Sequence, residues 1–364
     1  MRRGIATLAA LALVTTGGLT ACGEKGEGGG TTPTKKAKIG VILPDSASSA
    51  RWESADRKYL EAAFKAAGVD YEIKNAQGDK AQFQTIGDQM IASGVTVLMI
   101  VNLDSGTGKA VLDKAKAQGI GTIDYDRLTL NGGADYYVSF DNVKVGTLQG
   151  EGLVKCLTDG GAKSPVIAEL NGSPTDNNAT LFKQGYDGVL KPKYDSKEYV
   201  KGPDEFVPDW NNTEAGKIFE NMMTKTGGKI DGVLAANDGL GNAAIAVLKR
   251  NKLNGKVPVT GQDATVQGLQ NILVGDQCMT VYKAIKAEAD GAAELALALA
   301  NGQTPSGLTT VMDTESKKEV KSKLLTPVAI YKDNVKDVVA DGYVTKDELC
   351  AGAFADLCTK AGIS

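Results

Sequence analysis

"KIGVILPDSASSARWESADRKYLEAAFKAAGVDYEIKNA", residues 38–76, decides the fold. A short apolar run, "KIGVIL", stops at Pro44. Helical spacing of apolar residues follows near 50–67, and a second short run, "YEIKNA", comes after it. Strand, crossover helix and strand in this order make a βαβ unit, whose parallel strands need helices on both faces. The rhythm continues with a helix over 80–93, "VTVLMIV", a helix over 107–118 and "IGTIDY". After "YYVSFDN" it starts again: a helix over 143–157, "PVIAEL", a helix over 178–190, a weak strand at 198–201 and a helix over 210–226. "DGVLAAN", a helix over 239–250, "VPVTGQD", a helix over 265–274 and "CMTVYK" complete this half. Two successive α/β halves are predicted, and a chain of 364 residues has the length for two domains.

Composition narrows the function. The 42% hydrophobic and 23% charged fractions describe a globular chain, and a net charge of −3 lacks the basic footprint that nucleic acid requires. Histidine is absent altogether, which removes Ser-His-Asp and Cys-His catalysis and every His-ligated metal site. A binding protein without cofactor is the favoured class.

The N-terminus has the order of an export signal: Arg2 and Arg3, an apolar stretch from Ile5 to Val14, then small residues. That stretch is far shorter than the roughly 20 residues of a spanning helix. Leu19-Thr20-Ala21-Cys22 resembles the lipobox of bacterial lipoproteins, so residues 1–22 are expected to be a signal with Cys22 lipidated. Residues 23–36 read as a tether, and the fold should begin near Ala37. Four cysteines then remain, in a compartment that permits disulfides. Cys350 and Cys358 are close enough in sequence to close a small loop, leaving Cys156 for Cys278. This is one of three connectivities, and free buried thiols are the alternative.

In open parallel sheets ligands bind beyond the carboxyl ends of the strands. Those ends fall here at 44–51, 102–104, 124–127, 171–178, 237–238, 262–263 and 282–283, and nearly all carry hydrogen-bonding side chains. The pair Asp126 and Arg127 combines an acceptor with a fork of five donors, suited to gripping adjacent hydroxyls. Asp124 alternates with Asp126 and is expected on the same face in support, while Asp176 and Asp238 read as helix caps.

Seven stretches, in order, give the chain a family likeness: "ARWESADRKYLEAA", "DYDRL", "YYVSFDNVKVGTLQG", "NGSPTDNNATLFKQG", "AANDGLGNAAI", "VTGQDATVQGLQNI" and "MTVYKAI". It resembles the type I periplasmic sugar-binding proteins of ABC importers, within them the xylose-binding group, from about Lys38 to Leu349. The resemblance implies two doubly wound parallel-sheet lobes joined by a three-segment hinge near Phe140, Ala284 and Ser322. The first lobe would be 37–139 with 285–322, the second 140–284 with 323–349, and 350–364 a C-terminal tail. A monosaccharide, xylose or a related aldose, would lie between them. Arg51, Asp126 and Arg127 would hold it from the first lobe, with Trp52 as wall or packing. Asn177 or Asn178, Trp210 as stacking residue, Asn237, Asp263 and Lys283 would hold it from the second. The implied partners are an ABC permease with a separate ATPase, for a monomer attached to the membrane by its lipid only. A sugar sensor signalling to a membrane receptor, and a secreted sugar-acting enzyme using Asp124 and Asp126, are the rival readings.

"DVVADGYVTKDE", residues 337–348, approaches a calcium-loop pattern, but Val339 stands at a ligand position. A turn at Asp341-Gly342 is expected instead, and no metal.

Overall fold

The computed structural model describes residues 36–363. Its first run of elements is β1 (Lys38–Leu43), a π-helical turn (Trp52–Asp56) leading into α1 (Arg57–Ala66), β2 (Asp70–Asn75), α2 (Lys80–Ala92), β3 (Val97–Ile100), α3 (Ser105–Ala117), β4 (Gly121–Tyr125) and β5 (Tyr136–Phe140). The second is α4 (Asn142–Asp159), β6 (Val166–Asn171), α5 (Asn177–Asp195), β7 (Val200–Phe206), α6 (Asn212–Lys225), β8 (Gly232–Ala235), α7 (Asp238–Arg250), α8 (Val266–Val274) and β9 (Thr280–Tyr282). The remainder is α9 (Ile285–Ala300), β10 (Thr309–Met312), β11 (Glu319–Leu325), β12 (Val328–Ile330), α10 (Val335–Ala340), α11 (Lys346–Leu349) and α12 (Ala355–Lys360).

The first sheet runs β10-β11-β5-β4-β3-β1-β2, parallel except for the β10–β11 hairpin. Its strands are apolar on both sides because both faces are covered. Ile39, Val41, Val97 and Met99 pack against Leu60, Phe64, Ala292 and Ala296 of α1 and α9. Their neighbours Ile42, Leu98 and Ile100 pack on the other face against Phe83, Ile86, Val111 and Leu112 of α2 and α3. Each Val, Leu, Ile, Phe or Met side chain so buried contributes about 1.5–3 kcal/mol of transfer free energy.

The second sheet runs β7-β6-β8. Residues 257–263 extend it, since Val233 N donates to Pro258 O at 2.9 Å and Asp263 N to Val281 O at 2.9 Å, and β9 pairs with β12. Both sheets therefore reverse direction at their first strand, β1 and β6, the topological position where crevices form. Over β6, α4 and α5 cross closely: a Cβ on Gly146 would fall inside the Phe182 backbone. Glycine is required there by contact alone.

Three crossings join the halves and lie side by side. Asp141 N donates to Leu325 O at 2.9 Å, tying the first to the third, and Val328 pairs with Tyr282, tying the third to the second. Two boundaries differ from expectation. The third crossing comes after Leu325 rather than near Ser322, because β11 stays paired with β5 to its end. Residues 350–363 are no loose tail, for Cys358 and Ile363 are buried in one cluster with Leu269, Ile272 and Val338. Disulfides join Cys156 to Cys278 and Cys350 to Cys358, with Cα separations of 6.4 and 5.8 Å. No helix among the described residues is long and apolar enough to cross a membrane. Cys22 and the signal and tether readings lie outside the described residues.

Candidate functional site

After β1, Asp45 turns the chain by accepting from Ala47 N and Ser48 Oγ, at 2.7 and 2.8 Å. Arg51 then enters the π-helical turn, in which positions five apart stack on one face. That geometry sets Arg51 on Asp56, with Nε to Oδ2 at 2.8 Å and Nη2 to Oδ1 at 2.6 Å. The same guanidinium reaches Asp126 through Nη1 at 2.8 Å and Glu288 of α9 through Nη2 at 2.7 Å. Four of its five N–H bonds are thus taken up by three buried carboxylates. Arg51 is first of all the centre of an ion network.

Asp126 follows β4 with a left-handed backbone, φ 61°. The strand's alternation ends at this residue, and Asp124, expected on the same face in support, is bonded elsewhere. Asp124 instead takes Thr129 N and Oγ1 at 2.9 and 2.6 Å, and burial lifts its carboxyl to about 7. Burial also works against the charge on Asp126, but Arg51, Lys283 and Arg127 outweigh it and hold that carboxyl at about 2. Arg127 reaches into the other lobe, Nε to Asp176 Oδ2 at 2.9 Å. Trp52 lies under both guanidinium groups, 4.4 Å from Arg51 and 5.4 Å from Arg127, with its Nε1 on Ser48 Oγ at 3.1 Å.

The second lobe supplies the facing wall. Asp176 caps α5 through Asn178 N, and Asn178 Nδ2 donates to Asp126 O at 2.9 Å and Oδ1 at 3.1 Å. Asn177 is half-buried and stays outside this contact set. Trp210 donates Nε1 to Asp176 Oδ2 at 3.1 Å and meets Phe182 edge-on, in space left by Gly172, where a Cβ would enter the indole. Asn237 caps α7 through Leu240 N at 2.9 Å and donates Nδ2 to Ser48 O at 3.3 Å. Asp238, expected as that cap, is buried instead among Thr265, Gln277 and Thr280. Asn237 precedes the helix and has the extended backbone a cap needs. Asp263 accepts from Ser49 Oγ at 2.9 Å, and the Lys283 ammonium sits 3.2 Å from Asp263 and 3.8 Å from Asp126.

These side chains surround one void of about 30 Å³ between the lobes, lined by every expected contact except Asn177. Ser48, Ser49, Asp176, Phe182 and Gln262 line it as well. The serines, Asp176 and Gln262 lie at strand ends, whereas Phe182 is inside a helix and its sequence context gives no signal. Three cations, Arg51, Arg127 and Lys283, and three carboxylates, Asp126, Asp176 and Asp263, balance around the void. A neutral, hydroxyl-rich molecule suits such a wall. Two larger crevices of about 510 and 490 Å³ adjoin it and share Ser48, but neither is lined by Asp126 or Lys283. At the calcium-like stretch, Glu348 is engaged by Thr345 at 2.6 Å and Asp341 by the Tyr282 hydroxyl, and Gly342 turns the chain at φ 74°.

Comparison with known proteins gives the same picture. The family model described as a periplasmic binding protein domain matches residues 39–304. The chain is 39% identical over 316 residues to the D-xylose-binding periplasmic protein of Escherichia coli (strain K12), covering 86% of this chain and 93% of that one. It is 35% identical over 329 residues to the multiple sugar-binding periplasmic receptor ChvE of Rhizobium radiobacter, covering 86% and 92%. Among solved structures, a carbohydrate transporter solute binding protein from Chloroflexus aurantiacus in complex with D-glucose superposes with a TM-score of 0.78 at 28% identity, covering 86% of this chain and 98% of that one. These relatives are named as binding proteins and not as enzymes.

Proposed function

The chain belongs to the periplasmic binding protein family, and on that footing we propose that it captures a monosaccharide between its two lobes. One observation carries the reading: polar side chains from both lobes converge on one charge-balanced void, with indole rings of Trp52 and Trp210 in its wall. Sugar hydroxyls both donate and accept, and the C–H faces of the ring pack on aromatic surfaces. The ligands in these relatives' names, D-xylose and D-glucose, favour an aldose, and xylose is the first candidate.

Ligand pockets typically run to about 300–1,000 Å³. A void of about 30 Å³ admits a sugar only as the lobes part and inter-lobe bonds such as Ser49–Asp263 and Asn178–Asp126 yield to ligand hydroxyls. The ligand then favours closure through contacts made to both lobes at once, with the bend at the three adjacent crossings. Delivery to an ABC permease, and a lipid anchor at Cys22, complete the proposal. The family supports the first, and the sequence "LTAC" supports the second.

Isothermal titration of the purified protein against D-xylose, D-glucose, D-galactose, L-arabinose and D-ribose tests the reading. Saturable heat with at least one of them, and a higher melting temperature in its presence, is expected. Silence with all five sinks the monosaccharide assignment.

A further inference from the structure

We propose that Gln262 is a further specificity-determining residue of this site, its amide oxygen Oε1 accepting a hydrogen bond from one ligand hydroxyl. The inference rests on the monosaccharide reading above. Gln262 lines the void and is 3% exposed. Its Nε2 donates to Ala236 O at 3.3 Å, whereas Oε1 is buried without a protein partner. Buried polar atoms are almost always partnered, so an orphaned acceptor in a binding wall needs an explanation.

Of the neighbouring groups of the wall, one Asp263 oxygen shares this lack of a hydrogen-bond partner, but it is neutralised by a cation, and the others are engaged. Asn178 is held by Asp126, Arg127 by Asp176, and Asp263 by Ser49, while the second Asp263 oxygen faces the Lys283 ammonium at 3.2 Å. A hydroxyl reaching Asn178 must displace an existing partner, while the Asp263 oxygen that faces Lys283 competes with an ion contact and Arg127 keeps N–H groups beyond those on Asp176 and Asn102. A hydroxyl that donates to Gln262 Oε1 displaces nothing, so that contact contributes undiminished.

The orientation of the amide is fixed from behind. The backbone at 262 accepts from Asp238 N at 2.9 Å, and the next residue donates to Val281 O at 2.9 Å. Turning the amide over would give up the bond to Ala236 and set oxygen against oxygen. Position 262 is therefore an acceptor, and it reads one ring position for a donor. Deoxy, fluoro and O-methyl sugars altered at that position would leave it unsatisfied.

The test pairs Gln262→Met, which keeps the length without the amide, with D-xylose, D-glucose and their monodeoxy analogues, titrated against variant and wild type. The variant is expected to lose about ten- to a hundred-fold in affinity for the parent sugar. One monodeoxy analogue should be weakened by a similar factor on the wild type yet bind variant and wild type alike. Parent affinity within about two-fold of wild type overturns the inference, as does a loss in which every analogue falls by the same factor on both proteins. Should the variant not fold, the wild-type series decides, since no monodeoxy analogue weakened ten-fold would overturn it. A wild type that binds both parent sugars while these tests fail leaves the monosaccharide reading standing. A wild type silent with all five sugars of the titration above removes this inference at its base, and one that binds only another of the five is tested with the monodeoxy series of that sugar.

Discussion

Arg51 and Asp56 grip each other through two hydrogen bonds across a π-helical turn, and Asp56 also accepts the Tyr125 hydroxyl at 2.7 Å. The turn is what aims Arg51. In an α-helix, five residues of spacing would carry Asp56 well round the axis. The helix start, β4 and α9 are thereby fastened at one point beneath the void.

Asp56→Ala leaves Arg51 buried with one carboxylate fewer and Tyr125 without its acceptor. Removing one partner of a buried ion pair costs about 3–5 kcal/mol. Urea unfolding should show a loss of that order, and a change below about 1 kcal/mol would place Asp56 among ordinary surface-type pairs.

Arg127→Ala should weaken binding of D-xylose by about a hundred-fold, the worth of one or two charge-assisted hydrogen bonds. The helical circular dichroism should stay that of the wild type, because Arg127 lies beyond the end of β4 and outside the apolar clusters. Calorimetric titration decides, and an unchanged dissociation constant would remove Arg127 from the site.

Asp124 gives a pH signature. Its folded carboxyl titrates at about 7, against an ordinary value of 3.8, chiefly because of burial. Between these values the folded state binds more protons than the unfolded one, so this group's contribution to stability falls as pH rises from about 4 to 7. Asp124→Asn abolishes that dependence. The stability of the variant relative to wild type should therefore climb across this window, and a flat difference in urea unfolding at pH 4, 5.5 and 7 would contradict it.

The two disulfides should differ in weight. Cys156–Cys278 closes a loop with a sequence separation of 122, and Cys350–Cys358 one of 8. In the chain-entropy model their removal costs about 5 and about 2.5 kcal/mol. Comparing the two double Cys→Ser variants by denaturant midpoint checks the order. A larger loss at 350–358 would show that packing of the C-terminal segment, rather than loop closure, governs.

The sequence was most legible where one physical rule acts locally. Continuous apolar runs such as Val97–Ile100 marked strands covered on both faces, and polar residues just past them marked the cleft. It was least legible where contacts join distant or irregular positions. Glu288 lies 237 residues from Arg51, so no spacing rule pairs them, and a π-helical turn breaks the periodicity that would have linked Asp56. Asn237 and Asp238 are adjacent acceptors of similar type, and only the backbone angles at the helix start decide which one caps it. The bridge at Val259 pairs too briefly to form a regular strand, although "VPVTGQD" reads as one.

Lys283 and Glu288 flank the second crossing, one facing the void and the other on Arg51. On the closure proposed above, the short stretch between them would both bend and grip. The time a captured molecule stays would then depend on the stiffness of that stretch as well as on the bonds in the wall. Substitutions there that stiffen or loosen the backbone, without touching any ligand contact, should alter residence time.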